Sequence, residues 1–499
     1  MARAPAEPTP GTKREEPSRA SRRARTPVRS ALLVSLVSLG ALLVAGCSPV
    51  FVPPTVAKEA SDRPNVIFVL ADDLDYASAQ MMPNLRSLLA EGGASFENAF
   101  ASQSLCCPSR ATILTGLYAH NSGIQGNKPP DGGFEVFRDE GLEEETIAAS
   151  LQESGYQTAF FGKYLNGYGA EDPEYVPPGW DEWYGKLQEQ KLYDYEINEN
   201  GEVVSYGSEE EDFFTDVLSE KATDFVRQAA PEDQPFFAYV APTAPHGPAT
   251  PAERLEGAFA GEEAPRPPSF NEEDVSDKPS WRQETERLSD EEVSEIDDYH
   301  RQRLESMLAV DEMVGALVEE LEATGELGNT YIFFTSDNGW FNGEHRIHSG
   351  KDRAYEESAR VPLFVRGPGL APGTEAEGLA LNTDFAPTFA ALAGVNFPNT
   401  DGRSLLPLMH GTPPSWRSSV LLEGFVGKED RVYAAVRTER YKYVEYGNGE
   451  EELYDLQNDP YELESIHESA DPSLLGDLKG ELEALKECAG DGCREAEDT

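Results

Sequence analysis

Basic, sulfur-bearing and imidazole side chains are scarce in this 499-residue chain: 41 Lys and Arg face 91 Asp and Glu, with seven His and five Cys. The resulting formal charge of −50 repels phosphate backbones at long range, which excludes a nucleic-acid partner. It equally disfavours long polyanionic chains unless a local basic patch overrides it. With so little histidine and thiol, a zinc centre has few ligands to draw on. Long apolar runs are missing apart from one near the N-terminus, and no internal repeat is visible. What remains is ample for a large core, since 39% of positions are apolar and 10% aromatic. Global disorder is therefore excluded, and the length suits two or three domains or one large domain with an appendage.

The first 46 residues carry eight basic and three acidic side chains. Their polar, Arg-rich start leads into the apolar segment 31–45, which is too short for a membrane span and suits a secretory signal. Val44-Ala45-Gly46-Cys47 resembles a bacterial lipobox, with Cys47 as the lipidated first residue of an exported, membrane-anchored protein. A plain cleaved signal or an uncleaved anchor are the alternatives, and Arg22-Arg23 hints at twin-arginine export. This reading assigns 1–46 to the signal and 47–61 to a linker. Export permits disulfides, and Cys488 and Cys493 are spaced to close a small loop. Cys106 and Cys107 are left to explain.

Several short apolar runs read as buried strands, each ending in polar groups. Residues 65–70 lead to Asp72-Asp73, 157–161 to Lys163, 235–240 to His246, and 330–335 to Asp337-Asn338; a fifth run spans 361–365. Helical patterns lie between them at 83–91, 146–154, 213–229 and 290–321. Strand alternating with helix predicts an α/β fold, a mostly parallel sheet sandwiched by helices. Ligands of such sheets sit beyond the carboxyl ends of the strands. Each polar group alone is an ordinary turn or cap; four together on one edge point to a site. Three aspartates with an asparagine offer oxygen donors, which suit a hard cation such as Ca²⁺ or Mg²⁺.

Cys106-Cys107-Pro108-Ser109-Arg110 precedes Ala-Thr-Ile-Leu-Thr115-Gly116. Pro108 suits a first helical position and Gly116 a stop, which puts Cys106 just before a helix N-terminus, where an anion is favoured. Arg110 adds a positive fork for a tetrahedral oxyanion. Two structural thiols beside a helix are the alternative.

This run resembles the signature of the sulfatases, and Asp72-Asp73, Asp337-Asn338, Gly350-Lys351, Tyr355-Glu356, Arg360-Val361-Pro362 and the segment 453–460 match that family's order. The resemblance implies an alkaline-phosphatase-like fold, with a catalytic domain over 62–415 and a small antiparallel C-terminal subdomain over 416–499. It implies that Cys106 is converted to formylglycine by a formylglycine-generating enzyme and that one Ca²⁺ is held by Asp72, Asp73, residue 106, Asp337 and Asn338. Arg110, Lys163, His246 and Lys351 then act on the sulfuryl group and the leaving oxygen of a sulfate ester. Gly162 to Tyr168 and Tyr193 to Gly201 are similar to the N-acetylglucosamine-6-sulfatase branch, which suggests a 6-O-sulfated amino sugar. Leu165 stands where many sulfatases carry a second histidine, and Asn166 or His345 are the candidates to replace it. A phosphodiesterase or phosphonate monoester hydrolase of the same fold, and an inactive lipoprotein that binds a sulfated ligand, are the competing readings. The Pro- and acid-rich stretch 250–288 reads as a surface excursion, either a lid or a solvated insertion.

Overall fold

A strand that is apolar at every position, rather than at alternate ones, needs cover on both faces. Residues 65–71 meet that need: Val66, Phe68 and Leu70 enter one core while Ile67, Val69 and Ala71 enter another on the opposite side. The computed structural model describes residues 63–187, 190–411, 413, 415–427 and 431–499; the expected signal segment, linker and lipidated Cys47 fall outside them. Among the described residues the strands are β1 (Asn65–Ala71), β2 (Ala94–Phe96), β3 (Ala99–Phe100), β4 (Gln157–Gly162), β5 (Glu182–Lys186), β6 (Glu196–Glu199), β7 (Glu202–Ser205) and β8 (Phe236–Ala241). They continue with β9 (Thr330–Ser336), β10 (Leu363–Arg366), β11 (Thr374–Ala376), β12 (Ala380–Leu381), β13 (Ser419–Phe425), β14 (Arg431–Thr438), β15 (Tyr441–Tyr446) and β16 (Glu451–Asp455).

Ten strands form the main sheet in the order β11-β2-β10-β9-β1-β8-β4-β5-β6-β7. The central five, β9-β1-β8-β4-β5, are mutually parallel. In register, Val69 lies beside both Val240 and Phe334, so the polar residues after β1, β8 and β9 emerge at one edge. At the flanks β10 and β6 run antiparallel to these five, and β7 pairs antiparallel with β6. Helices α1 (Cys106–Thr115), α2 (Ile147–Glu153) and α5 (Phe385–Ala393) contribute to one core; α3 (Phe214–Ala229) and α4 (Asp290–Thr324) cover the other face. The helical pattern expected at 83–91 forms a wider turn over Leu85–Ala90, closed by the Glu91 N–H on the Arg86 carbonyl at 2.8 Å. Its start is held by the Asp311 carboxylate, which accepts from the N–H groups of Asn84 and Leu85 at 3.0 and 2.8 Å.

Strands β13 to β16 make the small antiparallel sheet, against which Leu478, Leu482 and Leu485 of α6 (Pro472–Lys486) are buried. Cys488 and Cys493 are disulfide-bonded beyond that helix. No helix of the described residues is long and apolar enough to cross a membrane. The excursion 250–288 is neither a free lid nor a solvated insertion along its whole length. Ser269, Glu272, Lys278 and Arg282 are buried, and Arg346 donates to the carbonyls of Glu272, Glu273 and Thr285. Its anchor is His345, whose Nδ1 faces Glu272 Oε2 at 2.8 Å and whose ring stacks on Tyr355. Nearby, Lys442 pairs with Glu462 at 2.5 Å, and buried Glu452 accepts from the hydroxyls of Tyr355, Tyr446 and Tyr454.

Two expectations follow. Phe68 is fully buried with its ring about 5 Å from those of Tyr239, Phe385 and Phe389. Phe68→Ala should destabilise the fold by about 3–5 kcal/mol, read from the denaturant midpoint. Burial opposes an imidazolium at 345, yet Glu357 and Glu272 hold its pKa up at about 10. A raised histidine pKa gives stability that is full below the unfolded value of about 6.5 and lost as pH climbs through the folded one. Unfolding free energy should therefore fall from about pH 6.5 towards 10, and His345→Gln should flatten that slope.

Candidate active site

The polar edge of the parallel strands is where the site assembles. The turn after β1 places Asp72 and Asp73 there, β4 leads into Lys163, β8 leads to His246, and β9 delivers Asp337 and Asn338. Asp73 adopts a left-handed backbone (φ 69°), unusual for a residue with a side chain. Arg303, fully buried on α4, donates to the Asp73 carbonyl at 2.5 Å, to the Pro245 carbonyl at 3.4 Å and to Asp75 at 3.3 Å. One guanidinium thus fixes the turns after both β1 and β8. Helix α1 begins at Cys106, two residues earlier than Pro108 suggests, with Leu105 as its N-cap. Proline is tolerated throughout a first turn, and Asn127 Oδ1 accepts the Cys107 N–H at 2.9 Å. Gly116 closes the helix at φ 73°, the conformation a helix stop requires.

All of these groups except His246 and Lys351 are almost wholly buried, so each charge needs a partner. Lys163 Nζ donates to Asp72 Oδ2 at 2.6 Å, and Arg110 Nε to Asp337 Oδ2 at 2.8 Å. Arg110 also donates to the Lys163 carbonyl at 2.7 Å. Lys351 Nζ contacts Asp73 Oδ1 and lies 2.8 Å from Cys106 Sγ, while Asp72 Oδ1 is 3.7 Å from that sulfur. Against the cost of burial, Lys163, His246 and Arg110 hold the Asp72 carboxyl well below its usual range. Burial, with Asp72 as a like-charged neighbour, pushes the Asp337 carboxyl up. Burial also pushes the Cys106 thiol up to about 12, against Lys163 and Lys351, so the bare cysteine is protonated at neutral pH.

Two buried oxygens, Asp73 Oδ2 and Asn338 Oδ1, accept no hydrogen bond. Such orphans are costly unless another ligand meets them. Atoms of Asp72, Asp73, Cys106 and His246 lie within 4.8 Å of one another and could hold a metal ion. His246 was not expected in that set. Both Asp337 oxygens are engaged, by the Asp73 N–H at 3.1 Å and by Arg110, though each retains a lone pair. His246 Nδ1 faces the Gly247 carbonyl at 2.9 Å. A carbonyl only accepts, so Nδ1 carries the proton and Nε2 is left facing Asp73 Oδ2 at 3.7 Å.

A cavity of about 430 Å³ opens over Cys106, His246 and Lys351. Its outer wall includes Asn127, Glu135, Arg138, Asn166, Asp172 and Tyr175. Only Asn166 among these was singled out in the sequence; the others carry no local signature and come from the segments after α1 and β4, Glu135 and Arg138 from the short helix Gly133–Asp139. Leu165 is buried in the core, so it puts no polar group into the cavity. Asn166 lines the cavity, whereas His345 is committed to the excursion and is not among its walls. His345 is thus excluded as the replacement histidine.

The chain matches two family models, "Sulfatase" over residues 64–395 and "N-sulphoglucosamine sulphohydrolase, C-terminal" over 343–488. It is 36% identical to human N-acetylglucosamine-6-sulfatase over 497 residues, 91% of this chain and 89% of the relative. It is 29% identical to N-acetylglucosamine-6-O-sulfatase of Bacteroides thetaiotaomicron over 515 residues, 87% of each chain. A similar solved structure contains its substrate, D-glucosamine-2-N,6-O-disulfate; it superposes with a TM-score of 0.72 at 27% identity, covering 87% of this chain and 99% of that one. With the family models matched over most of the chain, the relatives similar over nearly their full length and the fold shared, this chain belongs to the sulfatase family and is a sulfuric ester hydrolase.

Proposed function

We propose that the chain removes the 6-O-sulfate of a glucosamine unit, using formylglycine made from Cys106 and one Ca²⁺ held by Asp72, Asp73, Asp337 and Asn338 beside residue 106. The observation that carries this reading is Cys106 at the floor of a one-sugar cavity, between Lys351 and Asp72, next to two orphaned oxygens. All-oxygen side-chain donors suit a hard cation. When present, the ion supplies Lewis acidity, and the hydrated aldehyde supplies a nucleophilic oxygen with the second hydroxyl that a thiol or simple alcohol lacks.

The chain's own residues account for the rest. Asp72, Asp73 and Asp337 are matched by Arg110, Lys163 and Lys351, so the charges of these side chains nearly cancel. A divalent cation held there would leave the site net positive, so the pocket would draw an anionic sulfuryl group despite the chain's overall −50. Lys163 and Arg110 fix the carboxylates, while Lys351, in contact with position 106, neutralises charge on the sulfuryl oxygens. His246, with its Nδ1 proton committed to Gly247, keeps Nε2 for proton exchange with the departing sugar oxygen. The cavity lies within the 300–1,000 Å³ range of small-molecule pockets, roughly the size for a terminal sugar.

Export with a lipid on Cys47 completes the reading. It is supported by the Arg-rich leader, the apolar segment 31–45 and the lipobox-like run, and the Cys488–Cys493 bond suits an oxidising compartment.

Cys106→Ala and Cys106→Ser should each lower turnover of a 6-O-sulfated N-acetylglucosamine by about a thousandfold, on the scale of losing key transition-state groups. Cys107→Ala should cost stability instead, since that thiol is buried in the core. Mass analysis of the peptide holding residue 106 checks the modification: fully active enzyme with an intact thiol there overturns it. Asn338→Ala should weaken Ca²⁺ binding at least roughly tenfold by calorimetry, independently of turnover. Rates on paired aryl sulfate and aryl phosphate esters should favour the sulfate.

A further inference from the structure

A second cavity, of about 680 Å³, lies between the excursion and the C-terminal sheet. Trp281 comes to it from the excursion, Asp352 and Arg353 from the segment directly after Lys351, and Phe425 and Tyr433 from strands β13 and β14. The reaction described above uses none of these side chains. Because Lys351 lines the first cavity and Asp352 the second, consecutive residues divide them, and their Cα atoms are about 3.8 Å apart.

Three features mark the second cavity as a binding site. Val426 and Val432 at its rim are 68% and 39% exposed, and they are two of three large apolar side chains exposed among the described residues. Exposed apolar surface gathered around a cavity marks a place for a ligand. Asp352 lines the cavity, and its Oδ1 is buried with no hydrogen-bond partner. That carboxylate is held in place, because Asp352 has a left-handed backbone (φ 65°) and its N–H donates to the Ser104 carbonyl at 3.0 Å. Finally, the Trp281 indole is braced by the guanidiniums of Arg353 and Arg282, 5.0 and 5.3 Å from its ring centre. An apolar wall beside a fixed, unmet acceptor suits a molecule with a C–H face and hydroxyl donors.

We propose that this cavity binds an uncharged sugar unit linked to the sulfated one, with its C–H face on the Trp281 and Phe425 wall and a hydroxyl donating to Asp352 Oδ1. The enzyme would then prefer an oligosaccharide over the free sulfated monosaccharide. Both cavities abut one backbone segment at Lys351 and Asp352, which argues for this occupant, and the unmet Asp352 carboxylate beside an apolar wall argues for an uncharged, hydroxyl-bearing unit over a second sulfate even though Arg353 and Arg431 also line the cavity. The proposal rests on the sulfatase reading for its substrate but not for its binding.

The test uses the full chain and three probes: 6-O-sulfated N-acetylglucosamine, an oligosaccharide bearing the same sulfated sugar, and the desulfated form of that oligosaccharide. Trp281→Ala should lower kcat/KM on the sulfated oligosaccharide about tenfold through KM while leaving kcat, and the monosaccharide, within about twofold. Calorimetry should show the desulfated oligosaccharide bound by the parent and lost in Trp281→Ala, with Trp281→Phe retaining most of it. Asp352→Asn should weaken that binding too. Equal losses on monosaccharide and oligosaccharide would reduce Trp281 to a structural role and overturn the proposal, as would unchanged binding of the desulfated probe. Should neither sulfated substrate turn over while binding is still lost with Trp281, the reaction assignment fails and the second sugar site stands.

Discussion

Everything at the reactive edge depends on one electrostatic balance: three buried carboxylates held against three buried or half-buried cations around residue 106. Charges removed from water cost several kcal/mol each unless they are paired and hydrogen-bonded. The sheet meets that condition by sending Asp72, Lys163 and Asp337 out of β1, β4 and β9 at the same level, and by setting α1 so that Arg110 reaches both an aspartate and a backbone carbonyl. The pairing is nearly complete but not quite. Oxygens are left over on Asp73 and Asn338, and Asp73 shares its space with Asp72, Cys106 and His246, a group that could hold a metal ion.

The layout of this edge was legible in the chain because both faces of the central strands are buried. Runs such as 65–71 and 330–336 are buried throughout and apolar over 66–71 and 331–334, and polar residues gather at or just after each strand's end. Parallel order then brings those ends together without any further information. The helix bearing Cys106 was placed to within two residues, the slack being the freedom of proline anywhere in a first turn. The fifth apolar run became β10, begins two residues later than its first apolar residue, and runs antiparallel.

What could not be read is what depends on contacts between distant segments. The cavity wall of Asn127, Glu135 and Tyr175 is polar surface in sequence, indistinguishable from any solvated loop. His345 looked available for chemistry; its partners Glu272 and Glu357 lie 73 positions before it and 12 after it, and nothing local reveals that they claim both ring nitrogens. Arg303 is hidden for a related reason. It sits in the middle of a long amphipathic helix, where an arginine ordinarily faces water, yet it is fully buried and serves backbone carbonyls of other segments.

That single arginine ties the fates of two loops. Because it grips the Asp73 and Pro245 carbonyls at once, the segment presenting a carboxylate and the segment presenting His246 share one mechanical reference. Changes to either are therefore non-additive with changes to the other, and a loop transplanted from a distant relative after β8 would arrive without its register against β1. The long helix is thus more than cover for the sheet: it is the common ruler for the two segments that bring Asp73 and His246 to the cavity.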